Sequence, residues 1–387
     1  MCAEKLLFSL LRIAVCQWAG DETVYTACTS DALERAYALA VKYDLAHLLG
    51  IALKKLGLGN LPMAQNAEKL QMVATYRYVQ LSHEQEQVTK TLEEGEIPFI
   101  PLKGAVLRDY YPESWMRTSC DVDVLVHEED LESAVQLLQT RLQYTFKEKT
   151  AHDVTLVSPG GVHLELHYTV LEKTELAMLP RVMESIWEES CPVPGKQYHM
   201  MLSDAMFYCY HIAHIAKHFE IGGCGVRPLL DTWILCHKVE FDRQLREELL
   251  QKGGILAFAN AAEKLSEVWF SGVLADSVSK QMESYIFHGG LYGGVENRIA
   301  ISHVQNKKGM AYVLSRLFLP YDSMKIQFPI LEKQKWLLPF CYVLRWGKRL
   351  FDGGLRRGSK ELKVNATLLE ERVLTTKELL EYLGLRS

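Results

Sequence analysis

The chain has 387 residues, of which 48% are hydrophobic, 24% charged and 10% aromatic, and its formal net charge is −5. This composition is typical of a globular protein and excludes a disordered or collagen-like chain. The nearly balanced charge argues against binding nucleic acid through a wholly basic surface, although a local patch can still hold phosphates. At roughly 150 residues per domain, the length predicts two or three domains.

The cysteines and the apolar runs point to a compartment. Nine cysteines occur without any C-x-x-C pair, and their odd number leaves at least one thiol outside any disulfide scheme. Reduced thiols fit the cytoplasm best, so cytoplasmic localisation is predicted. Two apolar runs, residues 6–16 and 336–346, are too short to span a bilayer, and no membrane segment is predicted.

Helical spacing dominates residues 1–92. Apolar side chains recur there every three or four residues, as in Leu33, Ala36, Tyr37 and Ala40, and again in Leu70, Val73, Tyr76 and Val79. This is the period of an α-helix, so we predict an N-terminal helical region.

The period changes over residues 93–170. Short β-rich runs at residues 97–102, 122–126, 154–157 and 162–168 alternate with helical stretches, among them a helix predicted over 128–142. These residues are predicted to form a core on a small mixed sheet. Helical spacing then returns over residues 171–387 and predicts a C-terminal helical region, so the predicted fold class is α/β (α+β).

The strongest local pattern is the acidic triplet Asp121-Val122-Asp123 at the head of an apolar run. Residues two apart on a strand point to the same side, so both carboxylates would face one way and could bind hard divalent cations together. Taken alone, the triplet is more often an exposed surface feature, because roughly one is expected by chance in a chain of this length.

A second predicted strand supplies a third acid. In residues 162–168, His163, Glu165 and His167 alternate with leucines. If the two strands are neighbours, Glu165 lies beside the two aspartates, and three acids so close would repel one another without a cation. The alternative is a solvated polar face on an edge strand.

An anion site is predicted where Lys103 and Gly104 follow the first strand and open a helix. The glycine lets backbone N–H groups approach an anion, the helix N-terminus favours it, and Lys103 adds a full charge. A triphosphate would suit this pocket, and the planar guanidinium of Arg117 could brace it. Considered singly, Lys103 and Arg117 are more often surface residues, and the neighbouring motifs make the two interpretations about equal.

Two stretches of the chain resemble the uncharacterised nucleotidyltransferase family of the DNA polymerase beta superfamily: LKGAVLRDYYPESWMRTSCDVDVLV and, after a helix, VHLELHYTV. Members show L-K-G, then R-x-x-x-D-x-D-x-L-V, then E-x-H on a later strand. The resemblance covers residues 97–168 in its core and extends more weakly to the later runs HIAHIAKHFEIGGCGVRPLLDTW, LFLPYDSMK and WLLPF. Lys103 and Gly104 replace the Gly-Ser pair of the wider superfamily.

The resemblance implies that Asp121, Asp123 and Glu165 hold two Mg²⁺ ions, or Mn²⁺, and that the substrate is a nucleoside triphosphate (NTP) such as ATP. One ion would activate an acceptor hydroxyl, and the other would neutralise charge on the α-phosphate and the departing pyrophosphate. Glu165 becomes the candidate general base, with His167 supporting the ligands. The acceptor (a small molecule, a protein or RNA), the preferred NTP and the oligomeric state stay open.

The segment 204–219 places His211, His214 and His218 on one helical face, with Lys217 beside them. Three histidines can bind zinc, but residues i and i+7 lie about 10 Å apart along a helix, so a packed face is the main interpretation. A face lining the cleft, with Lys217 on phosphate, is the other. The predicted nucleotide-binding residues are Lys103, Gly104, Arg117 and Lys217.

Two further patterns concern charges. Arg227 and Asp231 are four residues apart on the next predicted helix, and we expect them to pair with each other rather than to reach the nucleotide. The Lys- and Arg-rich segment 345–363 is predicted to be an exposed turn, solvated or in contact with an anionic acceptor.

Two rival functions are left open by the residues. One is a regulatory protein that binds nucleotide without turnover, although an idle site has no reason to concentrate three repelling acids. The other is a metal-dependent phosphohydrolase built on the histidine helix together with His163 and His167.

Overall fold

The computed structural model describes residues 2–170, 178–289, 294–304, 314, 317–351 and 370–386. It combines a five-stranded mixed sheet with surrounding helices, so the predicted α+β class is confirmed. Within these residues, every helix is too short or too polar to cross a bilayer.

The N-terminal residues are helical, as predicted. The helices are α1 (Ala3–Ala14), α2 (Glu22–Ala27), α3 (Ser30–Lys42), α4 (Ala46–Lys55) and α5 (Pro62–Glu94). Side-chain caps fix two of the starts, because Asp21 accepts from the Val24 amide at α2 and Thr29 accepts from the Ala32 amide at α3.

The sheet contains β1 (Phe99–Pro101), β2 (Asp121–Val126), β3 (Thr145–Lys149), β4 (Asp153–Val157) and β5 (His163–His167). Its order is β1-β2-β5-β4-β3, and β2 and β5 are parallel while the other pairs are antiparallel. All four predicted strands are present. The sequence pattern missed β3, whose five residues are all exposed and therefore show no buried alternation.

The connections between strands are a helix after β2 and a tight turn between the antiparallel strands β4 and β5. Helix α7 (Leu131–Leu142) follows β2 after a 3₁₀ turn at Glu128–Asp130, so the predicted helix is present with a tighter first turn. A tight turn at residues 158–161 joins β4 to β5, with Gly161 at φ +81° and the Ser158 amide donating to the Val162 carbonyl at 2.9 Å.

The two faces of the sheet pack differently. Val122, Val124 and Val126 of β2 contact buried residues of α5 and α7, such as Val88 and Leu138. Leu125, on the opposite face of β2, belongs to a larger core built from helices. The acidic residues of β2 alternate with the valines and therefore lie on the side of that helical core.

The C-terminal residues are mostly helical. They form α8 (Leu179–Glu184), α9 (Asp204–Glu220), α10 (Arg227–Lys238), α11 (Arg243–Lys252), α12 (Leu256–Phe270), α13 (Ser277–Gly289), α14 (Val295–Val304) and helices at Tyr321–Gln327, Leu338–Phe351 and Glu370–Tyr382. A small unpredicted hairpin, β6 (Ser190–Pro192) and β7 (Met200–Leu202), precedes α9.

The first and last helical regions share one core. Phe8 of α1 stacks on Trp269 of α12 with ring centroids 4.4 Å apart, and the Tyr43 hydroxyl donates to the Phe287 carbonyl at 3.1 Å. The N-terminal helices therefore pack directly against helices more than 200 residues later in the chain.

The predicted basic turn is wrong at its start. Residues 345–351 belong to the helix Leu338–Phe351, and the side chain of Arg345 is buried. The rest of the segment, residues 352–363, lies outside the described residues.

Candidate functional site

The pairing of β2 with β5 brings the predicted acids together. In this parallel register Asp121 lies opposite His163, and Asp123 lies opposite Glu165. Paired residues of neighbouring strands point to the same face, so the three carboxylates share one side of the sheet. The expectation that the two strands are neighbours is confirmed.

Asp123 is the buried centre of this cluster. Its Oδ1 accepts a hydrogen bond from Lys103 Nζ at 2.7 Å and another from His167 Nε2 at 2.9 Å. Glu165 Oε2 lies 3.8 Å from the same amine and 3.5 Å from the same imidazole nitrogen. Lys103 thus places a positive charge between two carboxylates, where their combined potential is most negative.

The electrostatics differ between the two aspartates. Burial, followed by the charges of Asp123 and Glu165, raises the pKa of Asp121 to about 6. Burial also opposes ionisation of Asp123, but Lys103 and His167 outweigh it and hold the pKa of that carboxyl below its usual value. Of the two aspartates, Asp121 is therefore the one with less compensation from positive charges.

The backbone at Lys103 and Gly104 is constrained. Lys103 has φ +47°, and a Cβ added at Gly104 would lie 2.1 Å from Ser119 Oγ. The helix that follows, α6 (Gly104–Leu107), has only one turn and continues as 3₁₀ turn Arg108–Tyr110. The expected dipole of a longer helix is missing, so the positive charge at this turn comes from the Lys103 side chain.

Arg117 lies close to the site but is engaged by another partner. Its Nε donates to Asp231 Oδ1 at 3.0 Å, its Nη1 donates to the Thr118 carbonyl at 2.8 Å, and the Tyr111 hydroxyl donates to the same Asp231 oxygen at 2.7 Å. Burial opposes the charge of Arg117, but Asp231 reverses this effect and raises its pKa. Asp231 therefore fixes the loop that leads into β2.

The expected pair of Arg227 with Asp231 is wrong. Arg227, in the first turn of α10, bonds to the Asp44 carboxylate between α3 and α4, and Asp231 faces inward to Arg117. A buried guanidinium needs a counter-charge more than an exposed one does, which explains why Asp231 pairs with Arg117 rather than along its own helix.

The histidines of α9 do not converge on one point. His211 is buried, with Nε2 3.0 Å from Thr232 Oγ1, whereas His214 and His218 face each other with their Nε2 atoms 3.2 Å apart. Among the described residues these three are not part of a group whose ligand atoms lie within 4.8 Å of one another. This arrangement favours the packed face and gives no support to a phosphohydrolase centred on the helix.

Helix α9 nevertheless flanks the acids. Burial raises the pKa of Tyr210, and the charges of Lys103, Asp123 and Glu165 also act on its hydroxyl. Burial, then Lys103, His218 and Lys217, lowers the pKa of His214. Sequence reasoning missed Tyr210, although it is four residues before His214 and therefore on the same face of the helix.

Comparisons with known proteins assign the chain to a family. No curated protein and no solved structure gives a significant match. A family model described as "Uncharacterised nucleotidyltransferase" matches residues 29–271, which is more than half of the chain and includes the sheet and α9 to α12. The chain belongs to this uncharacterised nucleotidyltransferase family.

Proposed function

We propose that the protein transfers a nucleoside monophosphate from an NTP to a hydroxyl of an acceptor and releases pyrophosphate, with Mg²⁺ or Mn²⁺ held by Asp121, Asp123 and Glu165. The observation behind this proposal is the parallel register that sets Asp123 opposite Glu165, with Asp121 on the same face. Membership of a nucleotidyltransferase family supports the reaction class.

Asp123 and Glu165 lie with His167 in a group whose ligand atoms are within 4.8 Å of one another, and Asp121 is on the same face of the sheet. Their carboxylate oxygens are the ligands that Mg²⁺ prefers, and Lys103 already places a cation 2.7 Å from Asp123 and 3.8 Å from Glu165. When bound, the metal ions supply charge neutralisation at the α-phosphate and the leaving group and lower the pKa of an attacking hydroxyl.

The chain's own residues orient the Asp123 carboxylate and compensate its charge. His167 and Lys103 fix Asp123, so that this carboxylate keeps one orientation. Glu165 is 30% exposed, which leaves it accessible to an acceptor hydroxyl, and we assign it the role of general base. Most of the rate acceleration would come from positioning the two substrates and from compensating charge.

The nucleotide side is assigned to Lys103, Gly104, Arg117 and Lys217. Lys103 has the most direct basis, because a cation bound by Asp123 and Glu165 would repel its ammonium group and turn it towards the phosphates. Gly104 is assigned by its place beside Lys103 at the start of α6, where the absence of a side chain makes room for Ser119. Arg117 and Lys217 are assigned by their place on the loop before β2 and on α9.

The proposed acceptor is a hydroxyl group of a small molecule, a protein or RNA. We place the reaction in the cytoplasm, since all nine cysteines lie in the described residues as free thiols.

The test uses matched amide variants of the full chain. Asp123→Asn and Glu165→Gln keep the side-chain volume and remove the charge, and Glu148→Gln makes the same change on the exposed strand β3 of the same sheet. Each protein is incubated with labelled NTPs, Mg²⁺ and a cell extract. We expect labelled acceptor and pyrophosphate from the wild type and from Glu148→Gln, with a decrease of at least about 100-fold for the two site variants. Equal turnover by Asp123→Asn would refute the assignment.

A second candidate function follows from Lys103. Its ion pair with Asp123 resembles a permanent replacement for a metal ion, as expected in a protein that binds nucleotide without turnover. NTP binding by the wild type without product in any extract, and independent of Mg²⁺, would favour this candidate.

A further inference from the structure

A second group of possible ligands shares His167 with the acidic cluster. One ring nitrogen of His152, one of His167 and one Asp153 carboxylate oxygen lie within 4.8 Å of one another. The backbone fixes this group, because Asp153 of β4 is directly opposite His167 of β5 in the antiparallel register. The two imidazole rings have centroids 6.0 Å apart.

The hydrogen bonds of His167 leave one of its nitrogens without a partner. Nε2 lies 2.9 Å from Asp123 Oδ1, and a carboxylate oxygen only accepts, so Nε2 is the nitrogen that donates. Nδ1 is buried and has no hydrogen-bond partner among the described residues. A buried nitrogen of this kind is costly unless a ligand satisfies it.

Thr150 orients the other two ligands. Its hydroxyl bonds to Asp153 Oδ1 and lies 3.0 Å from His152 Nδ1. The same hydroxyl oxygen accepts from the His152 and Asp153 amides at 3.3 and 3.2 Å, so Thr150 fixes the backbone beside the His152 ring. The other nitrogen of that ring, Nε2, is 3.8 Å from Asp153 Oδ1. Nε2 and the carboxylate are therefore close enough for one ion to contact both.

We propose that His152, Asp153 and His167 bind one divalent transition-metal ion of the zinc class. Two imidazole nitrogens and one carboxylate oxygen are a typical donor set for zinc and similar borderline ions, whereas Mg²⁺ prefers oxygen alone. Three protein ligands leave the fourth position of a tetrahedral ion to water. His152 is 20% exposed, which gives the ion a route from solvent.

This ion would act on the acidic cluster through one shared residue. His167 would bind the metal with Nδ1 and donate to Asp123 with Nε2, an arrangement in which a carboxylate orients a metal-binding histidine. Occupancy would therefore fix the ring that bonds to Asp123. The proposed site differs in its ligands from the acidic cluster and does not depend on whether the protein transfers nucleotides.

The test measures metal binding directly. Full-length protein is stripped with a chelator and titrated with Co²⁺, which reports its ligands by visible absorption, and with Zn²⁺ by calorimetry, both in excess Mg²⁺ to occupy the carboxylates. We expect one equivalent of tight binding by the wild type. His152→Ala and Asp153→Asn should weaken it by more than about 10-fold, because even residues that only hydrogen-bond to metal ligands change metal affinity by that factor.

A matched variant separates the two clusters. Glu165→Gln removes an acid of the neighbouring group, keeps all three proposed ligands and leaves an amide in place of the carboxylate 3.5 Å from His167, so it should retain the Co²⁺ spectrum. Circular dichroism verifies folding, and His152→Gln serves if the alanine variant is unstable. The proposal is overturned if the wild type binds no stoichiometric Co²⁺ or Zn²⁺, if neither His152 variant weakens binding, or if Glu165→Gln abolishes it and so places the ion among the acids.

Discussion

Lys103 and Asp123 show how one ion pair serves a cluster of like charges. Their contact at 2.7 Å is largely shielded from solvent, and Glu165 lies within 3.8 Å of the same amine. Removing the amine would leave two neighbouring carboxylates beside His167 with one positive charge fewer to compensate them. The stability of this region should therefore depend on whichever cation is present.

The variant Lys103→Met tests that dependence. We expect its free energy of unfolding without divalent ions to fall by about 2 kcal/mol, the order of a lost hydrogen bond to a charged group. Saturating Mn²⁺ should stabilise the variant more than the wild type, because the ion no longer competes with an ammonium group. Urea denaturation with and without Mn²⁺ measures both effects. If Mn²⁺ stabilises the variant and the wild type equally, the metal ion and the Lys103 amine do not compete for the same position.

His211 makes stability depend on pH. Burial lowers its pKa to about 4, whereas an unfolded chain binds a proton at the ordinary value of 6.5. The stabilisation is therefore complete above pH 6.5 and is lost as the pH falls from 6.5 towards 4, with a total of up to about 3 kcal/mol.

His211→Gln keeps a polar group beside Thr232 but cannot bind that proton. We expect a shallower fall in the free energy of unfolding between pH 6.5 and 4 than in the wild type. His237→Gln, on an exposed part of α10, is the control and should keep the full slope. Urea titrations at several pH values give both curves, and an unchanged slope in His211→Gln would exclude the buried histidine as the cause.

Single residues could be predicted where their reason lies in a local pattern. The alternation around Asp121, Asp123 and Glu165 indicates one polar face, because strand period is a local property. The partners Lys103 and Asp231 could not be predicted in the same way. Each meets its partner through folding of distant segments, so no spacing along the chain records the contact.

At the scale of elements, the turn between β1 and α6 is packed closely against the loop before β2. Gly104 has no room for a side chain, since a Cβ would meet Ser119 Oγ at 2.1 Å and Ser119 Cβ at 3.3 Å. Ser119 in turn accepts from Arg117 Nη1 at 3.2 Å. The glycine therefore links the Lys103 turn to the loop before β2.

A double-mutant cycle tests this close approach. Gly104→Ala should lower the free energy of unfolding by about 1–3 kcal/mol, as overpacking usually does, and should weaken NTP binding. Ser119→Ala removes the nearer atom, so the double variant should recover part of the loss. Denaturant curves of the four proteins give the coupling energy. Strictly additive losses would show that the two positions do not touch.

Element prediction succeeded or failed according to burial. The strands with a buried face were predicted, whereas β3 is exposed along its whole length and was missed. Apolar spacing in α5 correctly indicated a helix but not its buried side. Leu70, Val73, Tyr76 and Val79 are all exposed, because α5 packs on α4 through small residues such as Ala67 and on the sheet through residues further along the helix such as Val88.

At the scale of the whole molecule, one core connects distant parts of the chain. Phe8 is packed among Trp269, Phe270 and Phe287, and the same core reaches Ile100 and Leu125 of the sheet. This continuity was not predictable, since amphipathic helices show which face is buried but not which helix covers it. A substitution that disrupts the packing of α1 should therefore also destabilise the sheet.

Phe8→Ala tests the transmission. We expect a loss of about 3–5 kcal/mol in the free energy of unfolding, as for other buried aromatic residues replaced by alanine. Hydrogen exchange should accelerate in β2 and β5 as well as in α1 and α12. Tyr25→Ala, on the exposed surface of α2, is the matched control and should change little. Faster exchange confined to α1 and α12 would indicate two separately folding units.

The tight turn between β4 and β5 has a consequence for how this protein can vary. Surface loops usually tolerate insertions, but successive side chains of β5 alternate between faces. One residue gained or lost at 158–161 would present Leu164 or Leu166 to Asp123 and rotate Glu165 into the valine-lined interior. At this turn, length is constrained more strictly than composition. Homologues should therefore differ there in amino-acid identity but not in the number of residues.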